Sequence, residues 1–249
     1  AIQRLEYFLN KYPDSEYTPH VMFRLAQLYV ELSYTTWLDQ AVAYTELEMV
    51  TPDDEQVFLP DPPRIDYSKA QVLYQNILAN HPEYEFRDGA YYMMGFIYYD
   101  SNSVQAEEWE AEGMARANFQ HLVDHYPESP FAIDGNYILG DLHFANNEVE
   151  AAVPYFQAVV DRPPPDNQRY DEGVYMLAWS HYKLSNYEKT LKLFTELLDY
   201  SDVQFAESGR ESPLRPEAVD YAAISFSDLA DKSLTLEDPD WRSYSGNDV

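Results

Sequence analysis

Four times along the chain a proline follows an apolar anchor by eight residues: Leu5 to Pro13, Tyr74 to Pro82, Phe119 to Pro127 and Phe156 to Pro164. A small residue follows the first three prolines by thirteen positions (Ala26, Gly95, Gly140) and the fourth by fourteen (Ala178). Gly140 and Ala178 are each followed sixteen positions later by an aromatic, Phe156 and Phe194. Together these steps give a period of about 37 residues. A recurring spacing of that length marks a stacked array, in which each unit buries its apolar face against its neighbours.

The units are helical. Residues 1–11 place Ile2, Leu5, Phe8 and Leu9 on one helical face. Tyr12-Pro13 ends that helix, because a residue before proline is biased away from the α region. A second helix is expected over 18–33, with Thr18 as its cap and Pro19 in its first turn, and a third over 38–50. Residues 51–66, with four prolines and five acids, read as a long inserted loop. Further helices are expected at 67–80, 85–100, 104–125, 130–145, 148–161, 168–184, 187–200 and 213–231, with Ser129-Pro130 as a start signal. Residues 162–167 and 201–216 read as breaks, and 232–249 as an irregular tail. The tyrosines recur at three and four, not at two, so no strand pattern emerges.

Each unit pairs two helices. The first carries a large–small–x–x–aromatic signature, as in Leu25-Ala26 with Tyr29, Met94-Gly95 with Tyr98, and Leu139-Gly140 with His143. The second carries a small residue four before an aromatic: Ala70/Tyr74, Ala115/Phe119, Ala152/Phe156 and, more loosely, Thr190/Phe194. The period fails at 201–216, and at 27–66 and 100–110, where Ala26 to Tyr74 spans 48 residues and Gly95 to Phe119 spans 24. Insertions are expected there.

This series resembles the tetratricopeptide repeat family. Tyr12-Pro13-Asp14-Ser15 and Tyr126-Pro127-Glu128-Ser129 are similar to a "YP-x-S" subtype found in bacterial envelope proteins of the BamD and CpoB lineages. His81-Pro82-Glu83-Tyr84 is a weaker copy, and the stretch around Ala178-Trp179-Ser180 resembles large envelope proteins of gliding and predatory bacteria. The resemblance implies an all-α fold over 1–231, a right-handed superhelical solenoid of antiparallel helix pairs. It also implies a periplasmic or outer-membrane-associated location and a non-catalytic role as a protein–protein scaffold in a multiprotein envelope complex. Ligand contacts in the family come from positions six and three before, and one and four after, the small residue. Carried over, these give Gly89, Tyr92, Phe96 and Tyr99; Asp134, Tyr137, Asp141 and Phe144; and Glu172, Tyr175, Trp179 and Tyr182. Such rings with interspersed carboxylates either line a groove for a partner segment or pack against the neighbouring helix pair. The alternative roles are a self-associating structural module and a helical domain accessory to a longer chain.

Composition narrows the chemistry. With 44 acidic against 16 basic residues, a net charge of −28, the chain repels nucleic acids and anionic lipid surfaces; the acid either favours a basic partner or a cation-rich environment, or simply coats a solvated surface. No apolar run is long enough to span a membrane. The chain opens at Ala1 inside an amphipathic pattern, which reads as a processed chain or a fragment. The absence of cysteine excludes disulfides, thiolate metal sites and cysteine nucleophiles. His121 and His125 share a helical face at metal-binding spacing, but no third ligand is evident. Asp238, Asp240 and Asn247 lack the spacing and glycine of a calcium loop. No phosphate-cradling, nucleophile-elbow or zinc-protease motif is present, so the expectation is no enzyme, cofactor or metal.

Overall fold

The computed structural model describes residues 1–50, 59–107 and 109–237. Among them the chain is all α, with α1 (Ile2–Lys11), α2 (Thr18–Val50), α3 (Ser68–Asn80), α4 (Arg87–Tyr99), a 3-10 turn (Val104–Glu107), α5 (Ala111–His125), α6 (Ala132–Ala145), α7 (Val149–Val160), α8 (Tyr170–Lys183), α9 (Tyr187–Ser208) and α10 (Arg215–Glu237). It divides into two units, Ala1–Ala132 and Ile133–Val249. Within the first, α1 to α5 pack each on the next; within the second, α7 to α10 do the same.

The spacing rule has a direct packing cause. A Cβ on Gly95 would lie 2.8 Å from the ring of Phe119, and one on Gly140 would lie 2.7 Å from Phe156. Both rings are wholly buried. The glycine therefore lets the second helix bring its aromatic onto the backbone of the first. In the second unit Ala178 takes this role in one cluster with Val174, Phe194 and Leu197. In the first unit Phe23 of α2 meets the buried Tyr74 of α3 edge-on, at 5.6 Å, despite the insertion between them.

The prolines close the hairpins alike. Tyr12, His81 and Tyr126, each before a proline, adopt φ near −130° and ψ of 52–67°. Side chains then satisfy carbonyls left open at the helix ends. Thr18 donates its hydroxyl to the carbonyls of Tyr12 and Pro13, and Arg87 donates to those of Leu78 and His81. At the fourth proline, Asn167 donates to Val159 and Arg162. Thr18 thus ties the preceding turn through its hydroxyl hydrogen. A second device recurs at a separation of 41 residues: Ser129 donates to Asp88 at 2.6 Å, and Ser212 donates to Asp171 at 2.7 Å.

Four boundaries differ from the sequence expectation. The helices expected at 18–33 and 38–50 are one helix, α2. Residues 20–50 hold no glycine or proline, and Thr35 and Thr36 turn their hydroxyls onto the carbonyls of Glu31 and Leu32. The helix expected at 104–125 opens as the 3-10 turn before α5. Helix α9 runs past 200 to Ser208 and stops where Gly209 takes a φ of 71°. Helix α10 continues to Glu237, into the stretch read as an irregular tail; residues 238–249 lie outside the described residues.

Of the inserted loop, residues 51–58 lie outside the described residues and 59–66 form a strap. Ile65 is buried, donates its N–H to the Asn102 carbonyl at 2.7 Å and accepts from Val104 N–H at 3.0 Å. Trp37 donates its indole N–H to the Pro63 carbonyl, and Ser33 donates to that of Asp66. Arg64 pairs with Glu107 at 2.7 Å. The strap thereby joins α2 to the turn after α4.

Candidate functional site

In the first unit, Tyr92, Phe96 and Tyr99 occupy α4, all half-buried. Tyr92 and Tyr99 hold the Phe119 ring edge-on between them, with centroids at 6.0 and 6.3 Å. Tyr92 also stacks on Phe131 at 5.0 Å. Phe96 turns the other way. It meets Tyr67 at 6.1 Å and, with Tyr34, Tyr99 and Asp100, lines a cavity of about 550 Å3.

The second unit repeats the clamp. Tyr137 and Phe144 flank Phe156 at 5.9 and 6.4 Å, and Tyr175 lies 6.1 Å from Phe194. The residues three before and four after the small residue thus hold the buried aromatic of the second helix. Their inner edges belong to the core, which the spacing of a contact stripe does not reveal.

Arg169, which the sequence reasoning missed, draws Asp134, Tyr137 and Glu172 together. Its guanidinium pairs with Asp134, reaches Glu172 at 2.5 Å and lies 4.8 Å from the centre of the Tyr137 ring. Burial pushes the Tyr137 phenol up to about 12, and the negative charges of Glu172, Asp141 and Asp171 add to this while Arg169 opposes it. The cluster is therefore a half-buried phenol in a negative field.

The stripe on α8 is engaged by α10. Tyr175 donates to Glu217 at 2.6 Å, Tyr182 donates to Asp228 at 2.9 Å, and Trp179 meets the Tyr221 ring edge-on at 4.4 Å. Phe144 lies under the ammonium of Lys183 at 4.3 Å. Lys183, Glu217, Tyr221 and Asp228 were likewise not singled out from sequence. The 41-residue Ser–Asp recurrence is the signal that could have aligned α10 on α8.

His121 and His125 come together, but not as a chelate. Their rings stack at 4.0 Å and 13°, with Tyr91 stacked on the far side of His121 at 4.0 Å. Parallel rings direct their in-plane lone pairs side by side rather than onto one point. His125 Nδ1 lies 3.1 Å from the His121 carbonyl. Among the described residues no group of three or more His, Asp or Glu is placed to hold a metal. Asp238, Asp240 and Asn247 lie outside the described residues. No helix among the described residues is long and apolar enough to cross a membrane.

Residues 64–162 match the family described as YfiO, outer membrane lipoprotein. The match covers less than half of the chain. No curated protein matches. Solved structures similar to the chain include the crystal structure of MamA, 18% identical, with 66% of this chain and 90% of that chain covered and a TM-score of 0.39. The family match runs from the strap through α7, over the two glycine–aromatic pairs that set the repeat.

Proposed function

We propose that the chain is a non-catalytic scaffold of a bacterial cell-envelope complex, periplasmic or outer-membrane-associated, which holds a basic segment of a partner protein against its aromatic and acidic first-helix faces. The observation that carries this reading is the Tyr137 cluster. There a half-buried ring, which offers contact area at low entropy cost, sits among the carboxylates of Asp141, Asp171 and Glu172. The net charge of −28 draws the same class of partner over a longer range. The match of residues 64–162 to an outer membrane lipoprotein family supports the envelope location.

A photo-crosslinking amino acid at position 141, compared with one at exposed Lys192, tests the reading in native envelope fractions. A discrete adduct at 141 that disappears in Glu172→Lys supports it. Equal labelling at both positions, or none at 141, defeats it.

A second reading, self-assembly, draws on the far half of α2, where Leu38, Val42 and Met49 are 46%, 54% and 79% exposed. Light scattering across concentration decides it. A concentration-dependent dimer lost in Val42→Asp supports self-assembly, and a monomer at every concentration removes it.

A further inference from the structure

We infer that the first-unit cavity between α2, the strap and α4 is a binding site for an alkylammonium cation. Its volume, about 550 Å3, falls within the range of small-molecule clefts, and it is open to solvent. Its walls carry four aromatic rings from three places in the chain: Tyr34 on α2, Tyr67 after the strap, and Phe96 and Tyr99 on α4. The Phe96 and Tyr67 planes are inclined by 59°, so the two rings form a corner rather than a stack. Aromatic faces are electron-rich, and a cation held over several of them is attracted by each.

Asp100 supplies the countercharge. Its Oδ2 accepts the Tyr67 hydroxyl at 2.9 Å and its Oδ1 accepts Asn102 N–H at 3.0 Å, which fixes the carboxylate at the cavity wall. The neighbouring cation, Arg64, is engaged by Glu107 at 2.7 Å and by the Ser101 carbonyl at 2.7 Å. An anion would meet Asp100 and the electron-rich rings of Tyr34, Phe96 and Tyr99, backed by the buried Tyr67, and a neutral apolar group would desolvate the carboxylate without pairing it. A cation with an apolar skirt satisfies both the rings and the charge. Two sources carry that chemistry, a free quaternary amine and a lysine side chain of a protein. Only for the lysine does the inference rest on the scaffold reading above.

Calorimetric titration of the whole chain separates the possibilities, using choline, its neutral isostere 3,3-dimethyl-1-butanol, and N-acetyl-lysine methylamide. Choline is expected to bind saturably, about fivefold or more tighter than the isostere. Binding of the lysine derivative as well identifies a protein lysine as a source; binding of choline alone identifies a free amine. Tyr34 is 48% exposed, so Tyr34→Ala removes a wall without opening the core. It should weaken choline binding several-fold, whereas Tyr34→Phe keeps the ring and the affinity. Asp100→Asn should weaken choline and leave the isostere unchanged. Equal binding of choline and isostere, unchanged affinity in Tyr34→Ala, or no saturable binding of either cation overturns the inference. None of these results bears on the crosslink at position 141, so the two readings fail separately.

Discussion

The same repeat position has two different fates in the two units. One and four residues after the small residue, the first unit has Phe96 and Tyr99, which line an open cavity with Tyr34 and Tyr67. The second has Trp179 and Tyr182, which are taken up by Tyr221 and Asp228 of α10. The difference lies in what the neighbouring segments bring. In the first unit the 59–66 strap and the long α2 frame the rings from the side; in the second a following helix lies across them. A repeat position therefore fixes which residues share a face, while the adjoining segment decides whether that face is a site or an interface within the stack.

The largest effects should come from what the units share. Phe119→Ala and Phe156→Ala each remove a wholly buried ring, and each should cost about 3–5 kcal/mol in chemical denaturation. A much smaller loss at one of them would break the equivalence of the two pairs. Gly95→Ala and Gly140→Ala force a Cβ into those same rings and should cost about 1–3 kcal/mol. Gly113→Ala, with no described residue within 4 Å of the added carbon, should instead stabilise α5 by about 0.5–1 kcal/mol.

A subtler contrast concerns the buried second-helix aromatic. At positions 119, 156 and 194 it is Phe, but at 74 it is Tyr, whose buried hydroxyl has no hydrogen-bond partner among the described residues. Tyr74→Phe removes an unsatisfied polar group and should raise stability by about 1 kcal/mol. A loss of stability would mean that the hydroxyl is satisfied in solution.

The smallest effect is alkaline. Burial, then the bond to Glu217, pushes the Tyr175 phenol up to about 12. A folded pKa above the unfolded value of about 10 gives stability that is complete below pH 10 and is lost as pH rises through 12. Tyr175→Phe should flatten that alkaline decline, followed by tyrosinate absorbance and circular dichroism together.

Much of this was legible in the sequence, because proline and glycine act locally. A residue before proline has few conformations open to it, and the glycines mark where an aromatic must approach backbone. The continuity of α2 was harder to read. Ser33 to Trp37 resemble a break in composition, yet threonine hydroxyls can bond back along the helix and leave it intact. The candidate site was legible as a row of positions but not as contacts. Arg169 reaches Asp134 across 35 residues, and α10 reaches α8 across 42 and 46. Such pairings depend on how helices stack, which no local spacing encodes.

Whether the acidic aromatic faces hold a basic partner segment is decided by the crosslink at position 141. One discrete partner adduct is expected there, absent at Lys192 and abolished by Glu172→Lys while the far-UV spectrum stays helical. An adduct that survives Glu172→Lys unchanged, or labelling at Lys192 equal to that at 141, would contradict it.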